Sequence, residues 1–111
     1  MEPTAQAADQ VIDALADPMR RQILDELARR GEATATLLAG GLPVSRQAVV
    51  KHLAVLDRAG LVLGRRAGRE RRYQVRAVAL HDTARWLDQV AEQWDRRLRG
   101  VRRLTEDGSA G

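Results

Sequence analysis

Two groups of side chains in this sequence carry hydrogen-bonding chemistry suited to an anionic polymer that also displays base edges. The first is Ser45, Arg46, Gln47, Val50 and Lys51. Arginine can pair with the O6/N7 edge of guanine, glutamine with the N6/N7 edge of adenine, and a valine methyl can touch that of thymine. Hydroxyl and ammonium groups suit phosphate oxygens. The second is a run of arginines. Between Gly64 and Arg76 stand Arg65, Arg66, Arg69, Arg71, Arg72 and Arg76 against the single acid Glu70, a net charge of +5. The remainder of the chain holds 13 basic and 14 acidic residues, so the whole excess of +4 comes from this one segment. Charge this concentrated is an electrostatic footprint for a polyanion.

The first group needs a helix, and its surroundings supply one. Ser45 suits an N-cap and Gly60 the left-handed position past a last turn. Between them Val49, Leu53 and Leu56 recur at helical spacing as a buried stripe. Gln47, Lys51, Ala54 and Arg58 fall on the opposite side, flanked by Val50, with Arg46 projecting from the leading end. That outward face is small, polar and basic, as a helix entering a major groove requires. An ordinary solvated helix would share the cap and the stripe, and the arginine run is what favours the groove reading. Upstream, a short helix from about Thr34 to Ala39 burying Leu37 and Leu38, then a glycine-containing turn, completes a helix-turn-helix pattern.

The arginine run needs a hairpin. Leu61-Val62-Leu63 is apolar, Ala67-Gly68-Arg69-Glu70 supplies a turn, and Arg72-Tyr73-Gln74-Val75 alternates. Leu61, Leu63, Tyr73 and Val75 are expected toward the core, and the arginines at the tip. There they can reach phosphates or a narrow minor groove. A merely solubilising hairpin would leave five net charges repelling one another.

Elsewhere the chain reads as helix. Ala8, Val11, Ile12 and Leu15 mark a first helix at about Ala5 to Ala16, and Asp17-Pro18 caps and starts a second with Met19, Ile23, Leu24 and Leu27 inward. From Ala79 to Leu104 runs one long helix. Leu80, Ala84, Leu87, Ala91, Trp94, Leu98 and Val101 form a two-in-seven seam over three heptads, widened by Trp86, Val90 and Leu104. A single small domain does not need that much apolar surface, so the seam is expected to pack against a second copy, against the alternative of packing on its own domain.

Composition excludes several classes. The 111 residues suffice for one domain, and 44% apolar with 31% charged residues is a globular balance. There is no cysteine, which removes thiol redox chemistry and thiolate metal sites. No long apolar run or leader pattern occurs, so a cytoplasmic, nucleoid-associated protein is expected, with no membrane partner. An enzyme is not expected. No nucleophile stands with a base, no glycine-rich phosphate loop occurs, and the adjacent acids Asp25 and Glu26 diverge on a helix.

Ala14-Leu15-Ala16-Asp17-Pro18-Met19-Arg20-Arg21-Gln22-Ile23-Leu24, the stretch Val44 to Leu56, Ala59-Gly60-Leu61-Val62 and Gly68-Arg69-Glu70-Arg71-Arg72-Tyr73 together resemble the ArsR-type winged-helix repressors. The resemblance covers about residues 8–104. It implies a mainly α fold, a winged helix-turn-helix of about five helices plus a two-stranded wing. It also implies a bacterial or archaeal homodimer that binds operator DNA and is usually released by a signal, with a recognition helix at 45–58, a wing at 61–76, and dimerisation through the first and last helices. The domain is expected at 8–104, between flexible tails at 1–7 and 105–111.

The metal-sensing members of that family depart from this chain. Their thiolate ligands are absent, and on the last helix only His81 accompanies Asp82, Asp88, Glu92 and Asp95. Transition-metal sites usually need more than one imidazole or thiolate. Glu92/Arg96 and Asp95/Arg99 stand at favourable pairing distance along the helix. No metal or other cofactor is expected, and His52 reads as a packing or capping residue. A winged-helix module for protein contacts, a metal-responsive repressor using the last helix, and a regulator sensing an organic ligand are the rival readings. The sequence names no inducer and no operator.

Overall fold

The computed structural model describes residues 4–110, with side chains through residue 106. In chain order the elements are α1 (Ala5–Ala16), α2 (Pro18–Arg30), β1 (Ala33–Thr34), α3 (Ala35–Gly41), α4 (Arg46–Arg58), β2 (Val62–Ala67), β3 (Glu70–Val75) and α5 (Val78–Ala110). The fold is mainly helical, a winged helix-turn-helix.

Short polar side chains set most helix starts. Thr4 Oγ1 accepts from the Ala7 amide at 3.0 Å, Thr34 Oγ1 from Leu37 at 3.2 Å, and Ser45 Oγ from Ala48 at 3.1 Å. Asp17 Oδ1 accepts from Met19 at 2.8 Å, with Pro18 opening the helix as its missing N–H allows. The unpaired carbonyls at the end of α1 are covered from α2. Arg20 donates from Nε to Ala14 O at 2.6 Å, and Arg21 donates to Leu15 O. At the far end of α4, Gly60 at φ +78° lets its own amide reach Asp57 O and the Leu61 amide reach Leu56 O at 2.9 Å each. This doubly bonded helix stop turns the chain directly into the wing.

The core lies where α1, α2, α3, α4 and the base of the wing converge. Val11, Ile23, Leu27, Leu38, Val49, Leu53, Leu56, Leu61 and Val62 are its fully buried members. Two expected core residues lie outside it. Leu37 is 51% exposed, because the two turns of α3 turn Ala35 and Leu38 inward. Leu63 is 42% exposed, and Val62 takes the inward place. Val62 pairs with Val75 and Gly64 with Tyr73, so these four share the inner face of the sheet, while Leu63 faces outward beside Gln74.

The sheet has a third strand beyond the two of the wing. Order is β1-β3-β2, all antiparallel, with Ala33 opposite Tyr73 and Thr34 opposite Arg72. This ties the segment before α3 to the wing. Helix also reaches residues 5–7 and 105–110, where the sequence reading places tails. Residues 1–3 and 111 of those tails lie outside the described residues. Among the described residues no helix is long and apolar enough to cross a membrane.

Candidate nucleic-acid interface

Helix α4 is held by its buried stripe. Val49, Leu53 and Leu56 have no exposed surface at all, and this fixes which side chains face outward. Gln47, Lys51, Ala54 and Arg58 are exposed, and Val50 stands among them at 42%. Ser45 accepts from the Ala48 amide, and its hydroxyl proton is still available to an acceptor. Arg46 does not simply project from the helix end as the sequence suggests. Its Nε donates to Thr36 Oγ1 at 3.1 Å, which draws the guanidinium back toward α3 and leaves its two NH2 groups for other acceptors. Thr36 carries no sequence signal for this role.

The wing carries its arginines on two faces. Gly68 at φ +67° makes a two-residue loop possible between Ala67 and Glu70 and puts Arg69 at the tip. Arg66 and Arg71 are register partners on the inner face, the face of Tyr73. The Arg71 guanidinium lies 5.9 Å from the Tyr73 ring centroid and donates to Gly64 O at 3.4 Å. The absence of a side chain at Gly64 makes room, since a β-carbon there would stand 2.9 Å from the tyrosine ring. Arg65 and Arg72 are register partners on the outer face, where both donate to Glu32. The five arginines expected to act alike are therefore divided, and an acid 33 residues from Arg65 partly balances the hairpin.

A cleft of about 330 Å³ separates the leading end of α4 from the wing. Thr36, Arg46, Val50, Arg69, Arg71 and Tyr73 are among its lining residues, as is the acid Glu70. Both groups of candidate contact residues thus contribute to one concave, mostly cationic surface. Of the candidates, Arg46, Val50, Arg69 and Arg71 line it, whereas Ser45, Gln47, Lys51, Arg65, Arg66 and Arg72 do not.

Helix α5 shows two apolar faces. Ala79, Thr83, Trp86 and Val90 are buried or half-buried, and this side packs against α1. The Thr83 hydroxyl donates to Ala79 O at 2.8 Å. Leu80, Ala84, Leu87, Ala91, Trp94, Leu98 and Val101 are all exposed, about a quarter turn away at 100° per residue. The face that covers α1 and the heptad seam are therefore distinct. Trp86 and Val90 belong to the former rather than widening the latter. On the polar side Asp82 pairs with Arg85. Glu92–Arg96 and Asp95–Arg99 are not joined, as exposed long side chains gain little from pairing in water.

A helix-turn-helix domain model matches residues 15–65. The HTH-type transcriptional regulator Rv2034 of Mycobacterium tuberculosis is 41% identical over 103 residues, covering 93% of this chain and 92% of the relative. An ArsR-like regulator from Rhodococcus sp. RHA1 superposes with a TM-score of 0.80 at 42% identity, covering 89% of this chain and 92% of that one. The chain belongs to the ArsR family of winged helix-turn-helix transcriptional regulators. The homodimeric winged helix-turn-helix DNA-binding domain Mb0332 of Mycobacterium bovis, a possible ArsR-family regulator, superposes with a TM-score of 0.61 at 32% identity, covering 81% and 80%.

Among the described residues no three His, Cys, Asp or Glu side chains gather as a metal site. Desolvation raises the Asp17 carboxyl, but hydrogen bonds from the Met19 and Arg20 amides and the charges of Arg20 and His52 outweigh it and hold the carboxyl below its usual value. His52 of α4 is half-buried.

Proposed function

We propose that the chain acts as a homodimeric, sequence-specific DNA-binding regulator that represses by occupying an inverted-repeat operator. The cleft between α4 and the wing carries this reading. It sets a polar, basic helix face beside arginines from a second element, so that a duplex can enter with its groove against α4 and its backbone against the wing. Gln47 and Arg46 read base edges, and Val50 meets a thymine methyl. Ser45, Lys51, Arg66, Arg69 and Arg71 grip phosphate or the minor groove, and Arg65 and Arg72 stand in reserve on the outer face. The exposed α5 seam supplies the contact to a second copy, in line with the homodimeric relative from Mycobacterium bovis. Two copies place their α4 helices about one DNA turn apart, so half-sites are spaced by roughly 10–11 bp. No catalytic chemistry is assigned to the chain.

Fluorescence anisotropy with a duplex from the gene's own upstream region, against a scrambled duplex, tests this. Preference for the upstream duplex supports the reading, and indifference to both at low salt overturns it. Gln47→Ala is expected to lower the ratio of specific to non-specific affinity by about tenfold, since one good base contact contributes about 1–3 kcal/mol of discrimination. Unchanged discrimination would remove Gln47 from the base-reading set. Arg69→Ala is expected to weaken both duplexes alike and to flatten the slope of log affinity against log salt by about one unit. A loss confined to the upstream duplex would instead make Arg69 a base contact.

A further inference from the structure

The arginines of the outer wing face have a partner that the inner ones lack. Glu32 follows Gly31, the residue that ends α2, and stands just before β1. Its Oε1 accepts from Arg65 Nη2 at 2.8 Å and from Arg72 Nη1 at 3.4 Å, so one carboxylate oxygen serves both guanidiniums. The Arg65 bond holds the carboxyl below the usual carboxylate range; partial desolvation opposes this and the Arg72 bond adds to it. The pairing of β1 with β3, Thr34 opposite Arg72, fixes the turn bearing Glu32 against the wing. Arg65 and Arg72 remain 55% and 49% exposed, within reach of a backbone passing the wing. Among the described residues Arg66, Arg69 and Arg71 make no ion pair.

We propose that Glu32 is a built-in counterion that withholds Arg65 and Arg72 from phosphate and so keeps affinity for non-operator DNA low; the proposal rests on the DNA-binding reading above. Non-specific affinity grows with the number of phosphates a protein neutralises, because each contact releases counterions condensed on the duplex. A guanidinium already balanced by a carboxylate must give up that partner before it gains a phosphate, which cancels most of the advantage. The base contacts of α4 do not pass through Glu32. The carboxylate therefore lowers binding to all sequences alike while leaving discrimination on α4 intact, and it limits how tightly bulk DNA holds the protein.

Glu32→Gln keeps the shape and removes the charge. Binding to a random duplex and to the upstream duplex is measured by anisotropy from about 50 to 300 mM salt, a range in which phosphate contacts are strongly attenuated. The variant is expected to bind the random duplex several-fold more tightly, with a salt slope steeper by about one to two units. The same substitution in an Arg65→Gln/Arg72→Gln background is expected to have a much smaller effect on the salt slope, since no arginine is there to be released. That double variant with Glu32 intact is expected to stay within about twofold of wild type on the random duplex, since little affinity should come from withheld arginines. An unchanged slope in Glu32→Gln, or weaker binding to both duplexes with an unaltered melting curve, overturns the role of Glu32 while leaving DNA binding standing. A wild-type protein that binds neither duplex overturns both.

Discussion

Replacing Leu98 with arginine is expected to leave the protein as single copies in solution and to weaken operator binding by on the order of 100-fold or more. Leu98 is 63% exposed in the protomer and lies in the middle of the distal seam, between Trp94 and Val101. A guanidinium there would be stripped of water in any helix-helix contact without an acid to receive it, and an unpaired buried charge opposes association strongly. The substitution touches nothing inside the protomer, because every residue from Ala91 to Glu106 is exposed. The fold of one copy is therefore expected to survive. The loss on DNA would follow from tethering: in the proposed dimer the second α4 would reach its half-site at the high local concentration set by the first. Sedimentation velocity and operator titration on the same sample check both parts. A Leu98→Arg protein that still sediments as a dimer would place the contact elsewhere.

Leu53→Ala is expected to cost about 2–5 kcal/mol of unfolding free energy, the range for a leucine removed from a packed core. Domains of this size are typically stable by only about 5–15 kcal/mol. Leu53 has no exposed surface and is the central residue of the stripe that seats α4. Helix α4 packs against α1, α2, α3 and β2, so a space left on its buried stripe is not expected to close by a shift of one helix alone. Urea unfolding followed by helical circular dichroism is expected to show a lower midpoint with an unchanged slope. A change below about 1 kcal/mol would mean that the site collapses freely and that α4 is seated more loosely than its burial implies. Because the outward side chains of α4 are carried by this stripe, DNA binding should fall in step with the folded fraction.

Legibility in the sequence depended on how local each cause was. The caps at Asp17, Ser45 and Gly60 act within a few residues of themselves, and the helices begin and end where those residues stand. The stripe of Val49, Leu53 and Leu56 was readable for the same reason, as was the long seam of α5. The run Leu61-Val62-Leu63 was not, because three apolar residues in a row carry no alternation from which to choose the inward set. The choice is made by pairing with Val75 and Tyr73 across the hairpin. Leu37 and Leu38 present the same ambiguity on a helix too short to average it out. The division of the wing arginines was out of reach altogether. It needs Glu32, brought from the end of α2, and a strand, β1, only two residues long. The bond from Arg46 to Thr36 likewise joins the two helices of the motif across their turn, at a distance no spacing rule covers.

The reach of α5 has one more consequence. Its 33 residues extend for about 50 Å at 1.5 Å per residue, and the protomer measures 74 Å in its longest dimension. From Ala91 to Glu106 every residue is exposed, and most helical stability in water comes from packing an apolar face. If the seam pairs with a second copy as proposed, dilution should fray the arm before it disturbs the globular body, and the melting temperature should climb with protein concentration. How many molecules the cell makes would set not only how often the operator is covered but how much of each molecule is folded while it waits.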